Sequence, residues 1–183
     1  MSPLAWRHVD VREAFEVVFR RGDAYEGHVS GVEDGRAWAV EYSIELRPDR
    51  TTRSARVRCS DGDGTRETAI AADGKGNWNV DGAPAPQLEG LLDVDLEASA
   101  MTNAFPVARL ALPRGERVQA PAAWVRLHTN AVERLEQTYQ RVDERSYDYE
   151  SPAFGFACRL VYGDDGFVLD YPGIAVRHSG AVG

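Results

Sequence analysis

The stretch from residue 88 to residue 112, LEGLLDVDLEASAMTNAFPVARLAL, carries the features that decide the fold. Its first part alternates apolar and acidic residues with the period of two that is typical of a β-strand. Such a strand presents Asp93 and Asp95 together on one face, about 7 Å apart at roughly 3.3 Å per residue. The segment is therefore predicted to hold two carboxylates side by side, opposite an apolar face made of Leu92, Val94 and Leu96.

Polar residues and a proline follow this strand. Thr102 and Asn103 favour a turn, because their side chains can bond to nearby backbone groups. Pro106 favours extended geometry at the residue before it, and an alternating run continues from there to Leu112. We therefore expect a second extended run, which brings Arg109 to the two aspartates if the runs fold back on each other.

These polar residues have two interpretations. In the first they orient the hydroxyl groups of a ligand, and in the second they form a structural network at a corner of a β-sheet. Both require the same contacts, because buried charges are tolerated only when they are paired and hydrogen-bonded. The sequence leaves both open. The cluster comprises Asp93, Asp95, Thr102, Asn103 and Arg109.

The composition is that of a globular, acidic protein. The chain has 183 residues, of which 43% are hydrophobic, and its net charge is -8. A negative charge opposes binding to nucleic acids and to anionic lipid headgroups. The N-terminal residues lack the pattern of a secretory signal, and no run approaches the ~20 apolar residues of a membrane span. We expect one cytoplasmic domain over residues 1–183, with no nucleic-acid partner and no integral membrane segment.

The first half of the chain has the pattern of an antiparallel β-meander. Turn-forming clusters recur about every ten residues, with alternating apolar runs between them. The predicted strands are residues 15–20, 24–32, 36–46, 53–60, 65–72 and 77–80. One run carries an apolar stripe, which predicts either core or the wall of a concave ligand cavity. The stripe consists of Trp38, Val40, Tyr42, Ile44 and Leu46.

The second half is less uniform. Residues 117–127 alternate like a strand, with an edge or a bend at Pro121. Residues 132–142 are ambiguous, because their local propensity favours a helix while their alternation permits a strand. Aromatic-rich strands then follow, with a tight hairpin at residues 163–166 and a last strand at residues 174–178.

The sequence holds no recognisable metal or cofactor motif. The four histidines are isolated, and Cys59 and Cys158 lie far apart in apolar runs, as small buried hydrophobes do. The DGDGT stretch at residues 61–65 lacks the turn glycine and the bidentate glutamate of an EF-hand loop, so it predicts a hairpin turn. We expect neither a metal nor a cofactor.

Catalysis has one candidate pair, and sugar stacking has three candidate residues. Two carboxylates as close as Asp93 and Asp95 raise the pKa of one of them, as in some glycosidases. Tyr149, Tyr171 and Trp78 are aromatic candidates for stacking on a sugar ring, although such residues lie more often in a core.

Several short motifs together carry a family resemblance. They are Asp93-Val94-Asp95-Leu96, Thr102-Asn103, Pro106-Val107-Ala108-Arg109-Leu110, Tyr147-Asp148-Tyr149-Glu150-Ser151 and Gly166-Phe167-Val168-Leu169-Asp170-Tyr171-Pro172-Gly173. With them the chain resembles the bacterial putative glycolipid-binding family. The resemblance implies an all-β fold: a single antiparallel spiral β-roll, which is a strongly curled sheet with few short helices, and therefore a strand over residues 132–142. The sequence departs from the family pattern at Ala108, where a second arginine is usual, and this weakens the case for an anionic headgroup.

The resemblance also implies a function. It implies non-enzymatic binding of an amphipathic, glycolipid-like molecule in a concave β-sheet cavity. We expect the acyl part of that molecule to lie against the concave apolar face and its polar head to lie near the charged cluster. Tyr149 and Tyr171 complete the predicted ligand-binding set. The alternatives are a carboxylate-dependent hydrolase acting on a sugar or lipid ester, and a structural or partner-binding module without a small ligand.

Overall fold

The computed structural model describes residues 3–10 and 12–178, which are mostly β-strand with one short α-helix. The central segment comprises residues 88–112. The strands before it are β1 (Leu4–His8), β2 (Glu13–Arg21), β3 (Ala24–Glu33), β4 (Arg36–Leu46), β5 (Thr52–Asp61), β6 (Gly64–Ala72), β7 (Trp78–Val80) and β8 (Ala83–Pro84). The later strands are β9 (Asp93–Leu96), β10 (Arg117–Gln119), β11 (Ala122–Val125), β12 (Val132–Leu135), β13 (Thr138–Arg141), β14 (Ser146–Ser151), β15 (Phe156–Tyr162), β16 (Val168–Tyr171) and β17 (Ala175–Arg177). The helix is α1 (Ala104–Leu110), and short 3-10 turns span Pro86–Leu88, Met101–Asn103 and Pro152–Phe154.

Fourteen of these strands form one large antiparallel sheet. Its order is β10-β13-β14-β15-β16-β17-β1-β2-β3-β4-β5-β6-β7-β8. The meander predicted for the first half is confirmed, because β2 to β7 follow one another in sequence and in space. Strand β1, which the sequence patterns did not predict, pairs with both β17 and β2. It therefore joins the two halves of the chain in the middle of the sheet.

The β3–β4 hairpin shows why the turn residues were informative. Glu33 pairs with Arg36 across a two-residue loop. Asp34 and Gly35 in that loop have φ values of 50° and 75°. Two successive left-handed residues make the turn type that matches the twist of the flanking strands, and Asp-Gly is among its preferred sequences.

The apolar stripe of β4 lies in the core. Its five side chains are at most 4% exposed. Tyr42 pairs with Gly27 on β3, where an added Cβ would lie 2.0 Å from the Tyr42 Cζ atom. The absence of a side chain lets the ring cross β3, so that the Tyr42 hydroxyl donates to Glu16 on β2 at 2.6 Å.

The central segment contributes β9 to a second, smaller sheet of three strands. Strand β9 pairs in parallel with β11, and β11 pairs in antiparallel with β12. The predicted strand with Asp93 and Asp95 is confirmed, but all four of its residues are buried, so neither face is solvated. A parallel pair in a separate sheet was not predicted, and the architecture is therefore not a single antiparallel sheet.

The prediction of an extended run after Pro106 is wrong, because residues 104–110 form α1. Pro106 is the third residue of that helix, and a proline is tolerated in the first turn, where its missing N–H has no partner within the helix. Alternating small and apolar residues also fit a short helix that faces the core on one side. The helix ends at Ala111, which is left-handed with a φ of 44°.

Residues 132–142 are extended, as the resemblance implied. They divide into β12 in the small sheet and β13 in the large sheet, with the buried Gln137 between them. The predicted bend at Pro121 is also present, because it separates β10 from β11.

The central segment packs against both halves of the large sheet. From the first half, the Trp78 indole donates to the Leu91 carbonyl at 2.9 Å. From the second half, the Tyr162 hydroxyl donates to the Asn103 carbonyl at 3.1 Å. One hydrophobic core therefore includes residues of both sheets and of α1. Within the described residues no helix has the length and apolar character needed to cross a membrane.

Candidate functional site

Asp93 forms a buried ion pair with the helix. The Arg109 guanidinium donates to the two Asp93 carboxylate oxygens, with Nε 3.0 Å from Oδ1 and Nη2 2.6 Å from Oδ2. The Asp93 side chain is 1% exposed and the Arg109 side chain is 15% exposed. Burial raises the pKa of Asp93, and the hydrogen bonds and charge of Arg109 only partly offset that effect. The pair attaches α1 to β9, and neither residue lines the cavity described below.

Asp95 is held by neutral groups. Thr102 Oγ1 donates to Asp95 Oδ1 at 2.6 Å, and Gln137 Nε2 donates to Asp95 Oδ2 at 2.7 Å. Burial raises the pKa of Asp95, and the nearby Asp93 charge adds to the shift, although its hydrogen bonds oppose it. The two carboxylates of β9 are thus two residues apart in sequence but have separate partners, and Arg109 bonds to Asp93.

Asn103 joins the same polar network. The Tyr139 hydroxyl lies 2.8 Å from Asn103 Oδ1 and 3.0 Å from Gln137 Oε1. Because a hydroxyl has one hydrogen to donate, these two acceptors share it. The network therefore runs from Asp95 through Gln137 and Tyr139 to Asn103, and it fixes the two ends against each other.

A cavity of about 320 Å³ opens beside this network. Its volume lies near the lower end of the ~300–1,000 Å³ typical of small-molecule sites. Four of the seven predicted ligand-binding residues line it: Asp95, Asn103, Tyr149 and Tyr171. The other three, Asp93, Thr102 and Arg109, lie behind its wall. None of the β4 stripe residues lines it, so of the two predicted positions for the stripe, core or cavity wall, the structure has the core.

One wall of the cavity is aromatic. The rings of Tyr149, Phe156 and Tyr171 pack together with centroids 5.8 to 6.3 Å apart: Tyr149 is edge to face with each of the other two, which are tilted against each other. Burial raises the pKa of Tyr149 and of Tyr171, so both hydroxyls stay protonated at neutral pH. These tyrosines, predicted as exposed stacking residues, are instead buried around the cavity. Trp78, the third candidate, is buried away from it and bonds to the Leu91 carbonyl.

The aromatic wall reaches solvent at a second pair of rings. Trp124 and Phe154 pack with their centroids 5.3 Å apart, and both line the cavity. Phe154 is 57% exposed, whereas Asp95 and Asn103 are at most 8% exposed. Phe154 therefore lies at the mouth of the cavity. Asp95 and Asn103 lie in its buried part, the inner end, together with Trp124, Tyr149 and Tyr171, which are also at most 8% exposed.

Two polar atoms on the cavity wall have no hydrogen-bond partner among the described residues. They are His8 Nε2 and Ser151 Oγ, whose residues are 4% and 2% exposed. A buried polar group without a hydrogen bond costs about 1–3 kcal/mol, so such atoms are typical of places where a ligand or an ordered water binds. Neither residue was predicted as a site residue, because β1 and the end of β14 meet here only through long-range pairing.

A third buried carboxylate lies behind the wall. Glu16 accepts hydrogen bonds from the Tyr42 hydroxyl, from Ser99 Oγ and from the Ala100 backbone N–H. His8 Nε2 lies 3.8 Å from Glu16 Oε2. Sequence alternation contains a signal for this residue, since Glu16 takes the inward position between two buried apolar neighbours on β2.

The described residues contain no cluster of three or more histidine, cysteine or acidic residues suited to a metal ion. The DGDGT stretch is the β5–β6 hairpin turn, as predicted. Both cysteines are free thiols, and burial raises the pKa of Cys158 to about 12. The cysteine thiols and the hairpin therefore play no part in the candidate site.

Comparisons with known proteins identify the family by sequence and a similar fold by structure. Residues 3–177 match the model of the family described as "Putative glycolipid-binding". The structure is similar to the crystal structure of a DUF1089 family protein from Pseudomonas aeruginosa, with a TM-score of 0.86 and 29% sequence identity. That similarity covers 90% of this chain and 92% of the other. No match was found among curated proteins. The matched range contains every residue that lines the cavity.

Proposed function

This chain belongs to the putative glycolipid-binding family, and from that premise we propose that it binds an amphipathic, glycolipid-like molecule in the cavity beside β9. The observation that carries the proposal is the cavity itself, which joins buried polar groups to an aromatic wall. Small-molecule sites have this composition: mostly apolar walls with a few convergent polar groups that fix orientation.

The ligand enters with its polar part first. Asp95, Asn103, His8 and Ser151 lie at the inner end, where they offer donors and acceptors to hydroxyl groups. The apolar part of the ligand leaves past the exposed ring of Phe154. Because the volume is small, the cavity accommodates one headgroup and the start of a chain, and the rest of the chain lies outside.

The proposal includes a curled architecture for the large sheet. Residues from both halves of that sheet bond to the central segment, at Leu91 and at Asn103. Contacts from both halves of the sheet to one segment are expected of a sheet that bends around that segment, which is the arrangement of a spiral β-roll. A crystal structure tests this proposal, because it gives the curvature of the sheet directly.

Binding without catalysis fits the carboxylates better than hydrolysis. Asp93 is engaged by Arg109 away from the cavity, and both oxygens of Asp95 already accept hydrogen bonds. A general acid or base needs to reach the proton that it transfers. The hydrolase alternative rests on Asp95 alone, which faces the cavity with a raised pKa. Turnover of an alkyl glycoside that disappears in Asp95→Asn would favour it over binding.

Titration calorimetry with n-octyl β-D-glucoside, below its micelle concentration, tests the proposal. We expect saturable binding to the unmodified protein and about tenfold weaker binding to Phe154→Ala, which corresponds to about 1.4 kcal/mol. Phe19→Ala is the matched control, because Phe19 is also a half-exposed phenylalanine but does not line the cavity. Equal losses in the two variants, or no binding at all, would favour a structural or partner-binding module instead.

A further inference from the structure

The cavity faces a carboxylate that has no cationic partner. Asp95 receives hydrogen bonds from the neutral groups of Thr102 and Gln137, and no ion pair to it is present among the described residues. A buried carboxylate of this kind is stabilised by any cation that enters its surroundings, because the low dielectric strengthens the attraction. The inner end of the cavity is therefore a place for positive charge.

The charges around Asp95 do not cancel it. Arg12 lines the cavity, but its guanidinium lies 3.5 Å from both Glu33 and Glu97. Arg109 is occupied by Asp93. Glu16, behind His8, adds another carboxylate whose hydrogen bonds come from neutral donors. Phosphate and sulfate headgroups are opposed by this arrangement, and a cationic group is favoured.

The rest of the wall suits a cation that also carries hydroxyl groups. The rings of Tyr149, Phe156 and Tyr171 present π-systems, which attract an ammonium group within about 6 Å of a ring centroid. His8 Nε2 and Ser151 Oγ are free to bond to hydroxyl groups. A simple alkyl ammonium would leave these two atoms unpaired, whereas an amino sugar satisfies both features.

We propose that the polar group of the ligand is an amino-bearing sugar, with its protonated amine at Asp95 and its hydroxyl groups at His8 and Ser151. The proposal rests on the proposed function and specifies its ligand class. In this proposal the selectivity for the headgroup comes from charge at the inner end of the cavity. The alkyl chain of the ligand is recognised separately at the mouth.

Two probes that differ in one group test this. Octyl β-D-glucoside and octyl 2-amino-2-deoxy-β-D-glucoside are titrated into the unmodified protein at a pH at which the amine is protonated. We expect the amino glycoside to bind at least about tenfold more tightly. Equal affinity, or tighter binding of the neutral glycoside, would overturn the inference and leave the proposed function standing. Failure of both probes to bind would overturn both.

The role of Asp95 is tested by substitution. In Asp95→Asn the affinity for the amino glycoside should fall much further than the affinity for the neutral glycoside, so that the preference for the amino glycoside disappears. Asp148→Asn is the matched control, since Asp148 is an exposed carboxylate paired with Arg159 on the large sheet. A preference that survives in Asp95→Asn would overturn the assignment. The two-probe comparison needs no variant, so the inference stays testable if Asp95→Asn fails to fold.

Discussion

The two aspartates of β9 share a strand but differ in what balances them. Asp93 has a bidentate arginine, and Asp95 has only neutral donors. Removing one partner from a buried ion pair is costly, because it leaves the other charge buried and alone. Asp93 is therefore best understood as structural, and Asp95 is the aspartate that lines the cavity.

Arg109→Ala is expected to lower the free energy of unfolding by about 3–5 kcal/mol, because it leaves the Asp93 carboxylate uncompensated. Urea denaturation measures the change. The control is Arg159→Ala, which removes an exposed arginine from a surface pair with Asp148 and should change stability far less. Similar losses in the two variants would show that the Asp93–Arg109 pair contributes no more than a surface contact.

Asp95 and Asp73 are expected to change the free energy of unfolding with pH in opposite directions. Burial raises the pKa of Asp95 above 3.8, so its contribution is fully present below pH 3.8 and is lost as the pH rises through the raised native pKa. Hydrogen bonds from Asn77 and Lys75 lower the pKa of Asp73 to about 2. Its contribution is present above pH 3.8 and is lost as the pH falls through about 2.

The measurement is the free energy of unfolding of the unmodified protein minus that of each Asp→Asn variant, between about pH 2 and pH 7. For Asp95→Asn this difference should fall as the pH rises, and for Asp73→Asn it should rise. Parallel pH profiles for the two variants would contradict the assigned environments.

At the level of elements, β2, β3 and β4 are fastened by a side chain that crosses the middle strand. The ring of Tyr42 passes over Gly27 and its hydroxyl reaches Glu16. An aromatic ring that covers a cross-strand glycine is a recurrent way of fixing register in a sheet. Burial raises the pKa of Tyr42 well above its ordinary value, and the Glu16 charge adds to this, so the hydroxyl remains a donor.

Gly27→Ala should destabilise the protein by at least about 1–3 kcal/mol, because the added methyl group overlaps the Tyr42 ring. Thermal or urea unfolding measures the loss. Gly62→Ala is the control: no atom lies within 4 Å of the corresponding Cβ, and no positive φ is involved. Equal free energies of unfolding for the two variants would contradict this prediction, because the Tyr42 ring would then move aside without cost.

The strands could be predicted because turn residues and alternation are local signals. The hairpin at Asp34 and Gly35 needs only its own sequence to form. Helix α1 could not be predicted in the same way, since Pro106 has one meaning before a strand and another in the first turn of a helix. Packing decides between the strand and the helix. The ring of Phe105 packs against the ring of Tyr25, which is far away in sequence, with their centroids 5.2 Å apart.

For the whole molecule, the cavity was the least predictable feature. Asp95, Asn103, Tyr149 and Tyr171 were singled out by residue type and family resemblance, and they do line it. His8, Ser151 and Phe154 were not, because nothing near them in sequence indicates which surface they share. The position of His8 depends on the long-range pairing of β1 with β17.

The central claim is that this cavity holds an amphiphile with its polar end inward. A crystal structure of the protein with n-octyl β-D-glucoside tests it most directly. The account predicts the sugar in the cavity, bonded to Asp95, Asn103, His8 or Ser151, with the octyl chain leaving past Phe154. A glycoside bound only on the outer surface of the large sheet, or a sugar at the mouth with its chain inside, would contradict it.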